Sequence, residues 1–213
     1  MNARFEMLIE GLADPRLAER VAADRRPVGA PRAAVLLLLS DSEAPDLLFT
    51  ERSARMRTHA GQISFPGGGF EPQDADAAAA ALRETWEEVG LPPAQVAVIG
   101  QLPATRLPVS SYDVAPVVGT WSGDDPLVLA SPLEVAAIHR WSVSDLADPV
   151  NRVTSRHPQG HMGPAWQFGD AFLWGFTAYL TDALLRLGGW WRPWDTNRVV
   201  EVPNRFQRDR QPR

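Results

Sequence analysis

Cysteine is absent from the 213 residues, and so is lysine: all 21 basic residues are arginine. A chain without thiols has no disulfides, no thiolate-built zinc site, no iron–sulfur cluster and no cysteine nucleophile. A chain without lysine forms no Schiff base and carries no P-loop lysine. Long hydrophobic runs are missing too. The longest near the front, Ala33 to Leu39, is far short of the ~20 residues that span a bilayer. Residues Met1 to Glu10 carry charges and lack the apolar core and small-residue cleavage site of a signal peptide. No positive field draws the chain to nucleic acid or to an anionic membrane, because the formal charge is −5 and the pI is near 5.4. These absences lead to the expectation of a cytoplasmic soluble protein with no nucleic-acid or membrane partner.

The remaining composition is that of a folded domain. Apolar residues are 45% and charged residues 22%, close to the globular average, which argues against a disordered chain. At roughly 150 residues per domain, the length fits one domain over residues 1–213. Its core is expected at about residues 33–187, with an N-terminal helical extension and a Trp-rich C-terminal tail. The periodicity gives a helix over Asp14 to Arg25 and strands at Ala33 to Ser40 and Asp46 to Arg52. A short strand is expected near Ile63 to Phe65. Further strands are read at Val96 to Leu102, Val114 to Thr120 and Val135 to Ser142, and a hairpin turns at Gly169 and Asp170. The clearest helix is Asp74 to Val89, capped by Asp74 or Asp76 and ended by Gly90 before Pro92 and Pro93. A second long helix runs from Trp174 to Leu187, and the tail after Gly188 reads as irregular. Strands interleaved with two long helices indicate an α/β domain with a mixed sheet.

The carboxylate helix carries the most chemistry. In Arg83-Glu84-Thr85-Trp86-Glu87-Glu88-Val89-Gly90, the glutamates stand at i, i+3 and i+4 and share a face. Like charges at that spacing repel, and a divalent cation relieves them, since hard cations take oxygen ligands. Arg83 can orient one carboxylate by pairing with it. The alternative is a solvated acidic face. Just upstream, Phe65-Pro66-Gly67-Gly68-Gly69 forms a glycine run that lets backbone approach a ligand or metal closely, with an ordinary turn as the alternative. His157 and His161 are four apart, but Pro158 and Gly160 make a helix there untenable, so a loop pair without metal is the better reading.

The glycine run together with Arg-Glu-x-x-Glu-Glu-x-Gly resembles the signature box of the Nudix hydrolases, G-x₅-E-x₇-R-E-U-x-E-E-x-G-U with U aliphatic. The first glutamate of that box would fall at Ala75. Instead Gly68-x₅-Asp74-x₈-Arg83 fits, with an aspartate and one extra residue, and Thr85 stands where an aliphatic residue is usual. Upstream, the segment from Leu47 to Gly68, which includes Arg52-Ser53, His59-Ala60-Gly61-Gln62-Ile63 and Phe65-Pro66-Gly67-Gly68, resembles the extra motif of the coenzyme A pyrophosphatase branch. That branch also carries the aspartate and the inserted residue. Trp174-Gly175-Phe176-Thr177-Ala178 resembles a further segment of it.

The resemblance implies a Nudix α/β/α sandwich with a mixed central sheet. It implies hydrolysis of the pyrophosphate bond of coenzyme A or its derivatives to 4′-phosphopantetheine and 3′,5′-ADP. Mg²⁺ or Mn²⁺ would be held by Glu84, Glu87 and Glu88 with the carbonyl of Gly68. Glu134, before a strand, is a candidate general base beside Glu87 and Glu88, and its alternative is a solvated loop carboxylate. Arg52, His59 and Gln62 of the branch motif would read the substrate or shape its loop, with Arg55 and Arg57 adding positive charge. Arg106, Ser111 and Tyr112 lie on a stretch similar to the family's pocket. The late tryptophans, Trp166, Trp174, Trp190, Trp191 and Trp194, read as core or interface anchors. Other readings stay open: a Nudix hydrolase of ADP-ribose, NADH or a dinucleotide, or a Nudix-like domain that senses a nucleotide without cleaving it. A homodimer is also open, since the superfamily includes many.

Overall fold

The computed structural model describes residues 3–16, 27–56, 58–107 and 112–206. Its centre is an eight-stranded mixed sheet. The strands are β1 (Ala33–Ser40), β2 (Asp46–Arg52), β3 (Ile63–Ser64), β4 (Gly67–Gly69), β5 (Ala97–Gln101), β6 (Thr105–Leu107), β7 (Tyr112–Trp121) and β8 (Val135–Ser142). The middle runs β3-β2-β1-β7-β5, with β4 added to β1, β6 to β7 and β8 to β2. β1 and β7 pair in parallel from Ala33↔Val114 to Ser40↔Trp121, and the other pairs of this sheet are antiparallel.

The continuous apolar run of β1 is explained by burial on both faces, because successive side chains point to opposite sides of a strand. Ala34, Leu36 and Leu38, with Leu48 of β2, pack under the helix α2 (Ala77–Val89). Leu37 and Leu39, with Leu47 and Phe49, pack on the other face under the helix α4 (Gly175–Leu187). A short helix, α3 (Val143–Ala147), caps the end of β8, with Ser142 accepting from the Asp145 N–H. Among the described residues no helix is long and apolar enough to cross a membrane.

A second sheet has the order β11-β10-β9-β12, built from β9 (Arg152–Arg156), β10 (Met162–Phe168), β11 (Ala171–Leu173) and β12 (Val199–Glu201). The tail after Gly188 is irregular over residues 190–198, as expected, but it then adds β12 parallel to β9, which the composition did not suggest. Its strand is only three residues long, too short for a period-2 signal to show. The tail is anchored by the buried Arg152, which lies within 6 Å of the Trp166, Trp191 and Trp194 ring centroids and pairs with Asp182. The late tryptophans are therefore anchors, as expected.

At the N-terminus the observed helix is α1 (Glu6–Ala13), which ends at Asp14 where the sequence suggested a helix beginning. Phe5, Leu8 and Leu12 recur at helical spacing and pack with the α4 cluster. Gly11 lets the two helices meet, since a Cβ there would lie 3.1 Å from Leu187 Cδ2. Most of the expected helix over Asp14 to Arg25 falls on residues 17–26, outside the described residues.

Candidate functional site

The glycine run and α2 are brought together by local sequence. Asp76 caps α2 by accepting from the Ala79 N–H at 2.8 Å, and Gly90 ends it at φ 72°. Asp74 is thereby left for another role. Its Oδ1 accepts from Arg83 Nε at 3.1 Å and its Oδ2 from Arg83 Nη2 at 2.9 Å, a bidentate fork. Arg83 Nη2 also donates to the Gly69 carbonyl at 2.9 Å, tying the helix to β4. The aspartate with its inserted residue thus orients the arginine, and the pairing holds its carboxyl below the usual carboxylate range. Thr85 is fully buried and donates to the Ala81 carbonyl at 2.7 Å, which satisfies a hydroxyl at an apolar position.

The glycines are required by proximity. At Gly67, φ is 154° and a Cβ would lie 2.7 Å from Val35 Cα. At Gly68 a Cβ would lie 2.7 Å from Glu84 Oε2, so the Glu84 carboxyl rests directly on this backbone. Glu88 is only 4% exposed, and its Oε2 accepts from the Gly67 N–H at 3.3 Å. Burial pushes its carboxyl up to about 8, with the neighbouring Glu84 charge adding to the effect. The Gly67 N–H and the Arg52 charge oppose the rise. Glu84 is raised as well, first by burial. Glu87 is more open, and its Oε2 and Glu84 Oε1 each accept from Arg83 Nη1 at 3.1 Å.

Glu134 is exposed, yet its charge raises both Glu84 and Glu88, so it belongs to the same cluster. Its position is fixed by its backbone, because the Ser53 N–H donates to the Glu134 carbonyl at 2.7 Å. Arg52 faces Glu88 from β2 and has a buried Nε without a partner. The pairing of β2 with β8 shifts register between Glu51 and Arg52, an irregularity that re-aims side chains at the end of the strand. The loop beyond is closed by backbone bonds from Arg52 to Gln62 and from Gly61 to Arg52. His59 turns that loop with φ 58°, a left-handed conformation uncommon outside glycine. Gln62 is half-buried and Arg55 exposed on the same loop.

The structure therefore brings Glu84, Glu87, Glu88, Arg83, Gly68, Glu134 and Arg52 together. His59, Gln62 and Arg55 lie on the loop that delivers Arg52. Arg106 lies on β6 opposite Asp113 of β7, and no contact among the described residues joins it to the carboxylates. Arg57 and Ser111 fall outside the described residues. The His157 and His161 rings stand 6.4 Å apart across the β9–β10 turn. Sequence reasoning missed Glu71, whose Oε1 is 3.9 Å from Arg83 Nη1; its proximity to Asp74 in the chain was the available signal.

Chemically, the cluster crowds carboxylates at the foot of a glycine backbone, with Arg83 clamped at its rim and Arg52 facing Glu88. Among the described residues no three acidic or histidine side chains converge into a ready metal cage, and Glu84 and Glu87 each also accept from Arg83. The donor set still suits a hard cation. Glu88 is a buried carboxylate short of positive charge, and Glu84 lies over the Gly68 backbone.

The NUDIX domain family model matches residues 30–160. A relative described as an uncharacterized Nudix hydrolase NudL, from Enterobacter sp. strain 638, is 39% identical over 165 residues, covering 74% of this chain and 83% of that protein. A protein of the same description from Shigella sonnei strain Ss046 is 37% identical over 196 residues, covering 88% and 98%. Among solved structures, the MutT protein from Methanosarcina mazei Go1 is 20% identical with a TM-score of 0.47, covering 76% of this chain and 94% of that one.

Proposed function

We propose, from the premise that this chain belongs to the Nudix hydrolase family, that it hydrolyses the pyrophosphate bond of coenzyme A or a CoA derivative, giving 4′-phosphopantetheine and 3′,5′-ADP. One observation carries this reading. Arg52, from the segment resembling the CoA pyrophosphatase motif, opposes Glu88 of the carboxylate helix and keeps a buried Nε unpartnered. A guanidinium beside the carboxylates with a donor to spare suits a diphosphate that carries further negative charge.

Glu84, Glu87 and Glu88, with the Gly68 carbonyl, are the residues that would hold Mg²⁺ or Mn²⁺, which supplies charge neutralisation and an acidified water when bound. Arg83 keeps Glu84 and Glu87 in place and is itself held by Asp74, so it acts as a positioning residue. Arg52 binds the diphosphate oxygens. Glu134 is assigned as the general base: it is exposed, its backbone is fixed, and unlike Glu87 it is not bound to Arg83. It takes a proton from the attacking water as the water oxygen bonds to phosphorus and the bridging P–O bond breaks. A general base contributes ~10²–10⁴-fold in rate.

The test is a panel of CoA, acetyl-CoA, ADP-ribose, NADH and a diadenosine polyphosphate, assayed with Mg²⁺ and then Mn²⁺. Glu87→Gln serves as the blank. The reading expects kcat/KM highest for CoA or its thioester, with 3′,5′-ADP released. A preference for ADP-ribose, NADH or the dinucleotide overturns the CoA assignment and reduces the Arg52–Gln62 segment to loop architecture. Nucleotide binding without turnover of any compound overturns the enzymatic reading in favour of a sensor.

A further inference from the structure

A cavity of about 350 Å³ opens beside the end of β2, walled by Glu51, Gly61, His139, Phe172, Arg205 and Phe206. This volume lies within the roughly 300–1,000 Å³ usual for small-molecule sites. Glu51 and Arg52 are consecutive, and Arg52 faces the carboxylates of α2 while Glu51 lines the cavity. The two sites therefore meet at the end of one strand, on its opposite faces.

The cavity wall combines a flat ring, His139, two carboxylates, Glu51 and Asp170, and a cation, Arg205. Phe65, Phe49, Trp141 and His139 form a continuous row of ring contacts. The Phe65–Phe49 and Phe49–Trp141 centroids are 4.9 Å apart, and His139 is stacked on Trp141 at 5.3 Å. The row reaches the cavity at His139. Glu51 Oε2 holds His139 Nε2 at 3.0 Å, which leaves Oε1 to accept from an amino group. Arg205 is exposed and spends Nη2 on the Asp170 carbonyl at 2.7 Å, so Nη1 and Nε remain for an anion. The roof comes from the C-terminal tail, in the 3₁₀ turn Asn204–Phe206, where Phe206 Cε1 lies 3.6 Å from the position of a Cβ on Gly61.

We infer that this cavity binds a phosphorylated adenosine: the purine lies against His139, its exocyclic amine donates to Glu51, and a ribose phosphate pairs with Arg205. The inference rests on the nucleotide-hydrolase reading and deepens it. The shared chemistry has two sources, the nucleotide half of the substrate passing round the Gly61 turn, or a separate nucleotide such as the released product.

The experiment is calorimetric titration of the intact chain with adenosine 3′,5′-bisphosphate and with adenosine, in EDTA so that α2 holds no metal. The wild type should bind the bisphosphate saturably. Arg205→Ala, on an exposed side chain, should weaken it about tenfold or more while leaving adenosine affinity unchanged. His139→Ala should weaken both. Steady-state kinetics on CoA with Mg²⁺ then separate the sources. A raised KM with unchanged kcat in Arg205→Ala places the substrate's own nucleotide there. An unchanged KM with lost product inhibition places a second molecule there. Absence of saturable binding in EDTA, or bisphosphate binding unaltered in both variants, overturns the inference. Binding that responds to both variants in a chain that cleaves no CoA keeps this site and sinks the hydrolase reading, so the two failures are distinguishable.

Discussion

Replacing Glu88 by Gln should stabilise the metal-free protein at alkaline pH while removing its activity. The carboxyl is 4% exposed and pushed up to about 8 from an ordinary 4.5, chiefly by burial. The folded state therefore binds a proton that the unfolded chain has already released over that interval. The associated stability is fully present below about 4.5 and is lost as pH rises through about 8. At ~1.36 kcal/mol per pKa unit the ceiling is about 5 kcal/mol, and local relaxation brings the expected loss to on the order of 2 to 5 kcal/mol. Gln keeps an oxygen to accept from the Gly67 N–H and never ionises, so Glu88→Gln removes this loss. For a chain of this length that is on the order of 5 to 15 °C in Tm at pH 8.5, and close to none at pH 5. The assay is thermal denaturation in EDTA from pH 5 to 9, comparing the two proteins at each pH. Adding Mn²⁺ at pH 8.5 should reverse the order, because wild type gains from a ligand that binds only its folded state and the variant gains far less. Parallel Tm curves for the two proteins across pH 5 to 9 would refute the claim that a buried, charge-starved carboxylate stands here.

Other outcomes follow from the same geometry. Glu134→Gln should lower kcat by about 10²-fold or more with an unchanged melting temperature, as expected for an exposed general base. Gly68→Ala should fold but lose nearly all turnover, since its Cβ would lie 2.7 Å from Glu84 Oε2 and displace that carboxylate; near-normal kcat would show that Glu84 need not touch this backbone. Asp74→Asn should lower kcat at least tenfold with little change in KM, because it loosens the fork holding Arg83, and Thr85→Val should be close to neutral in both rate and stability. Arg152→Ala should cost roughly 2 to 4 kcal/mol in denaturant unfolding, chiefly because it empties the space between three indoles, while Asp182 keeps Arg186 and the Trp191 Nε1–H.

The carboxylate helix was legible because all of its determinants are local. Asp76, the alanine run, the clustered glutamates and Gly90 lie within fifteen residues, and each acts through contacts inside that span. The central strands were legible for a related reason: β1 and β7 are buried on both faces, and the runs Ala33 to Leu39 and Val114 to Val118 within them are apolar throughout. The division of capping between Asp74 and Asp76 was not legible, since both are suitable caps and only the distance to Arg83 decides. In the second sheet only the β10–β11 hairpin was legible, from its turn at Gly169 and Asp170. Its β9 was not, because it carries Arg152 and Thr154, polar residues whose partners Asp182 and Thr196 come from far along the chain. The cavity at Glu51 and His139 depends on a pairing across 88 residues, which no spacing rule reports.

The central claim, that the carboxylate cluster on α2 cleaves a diphosphate, is tested most directly by following CoA by phosphorus NMR in the presence of the protein and Mg²⁺. The two diphosphate resonances should vanish and be replaced by phosphomonoester signals of 4′-phosphopantetheine and 3′,5′-ADP. EDTA or Glu87→Gln should abolish the change. Diphosphate resonances that persist with wild-type protein and either metal, or that vanish equally with Glu87→Gln, would contradict it.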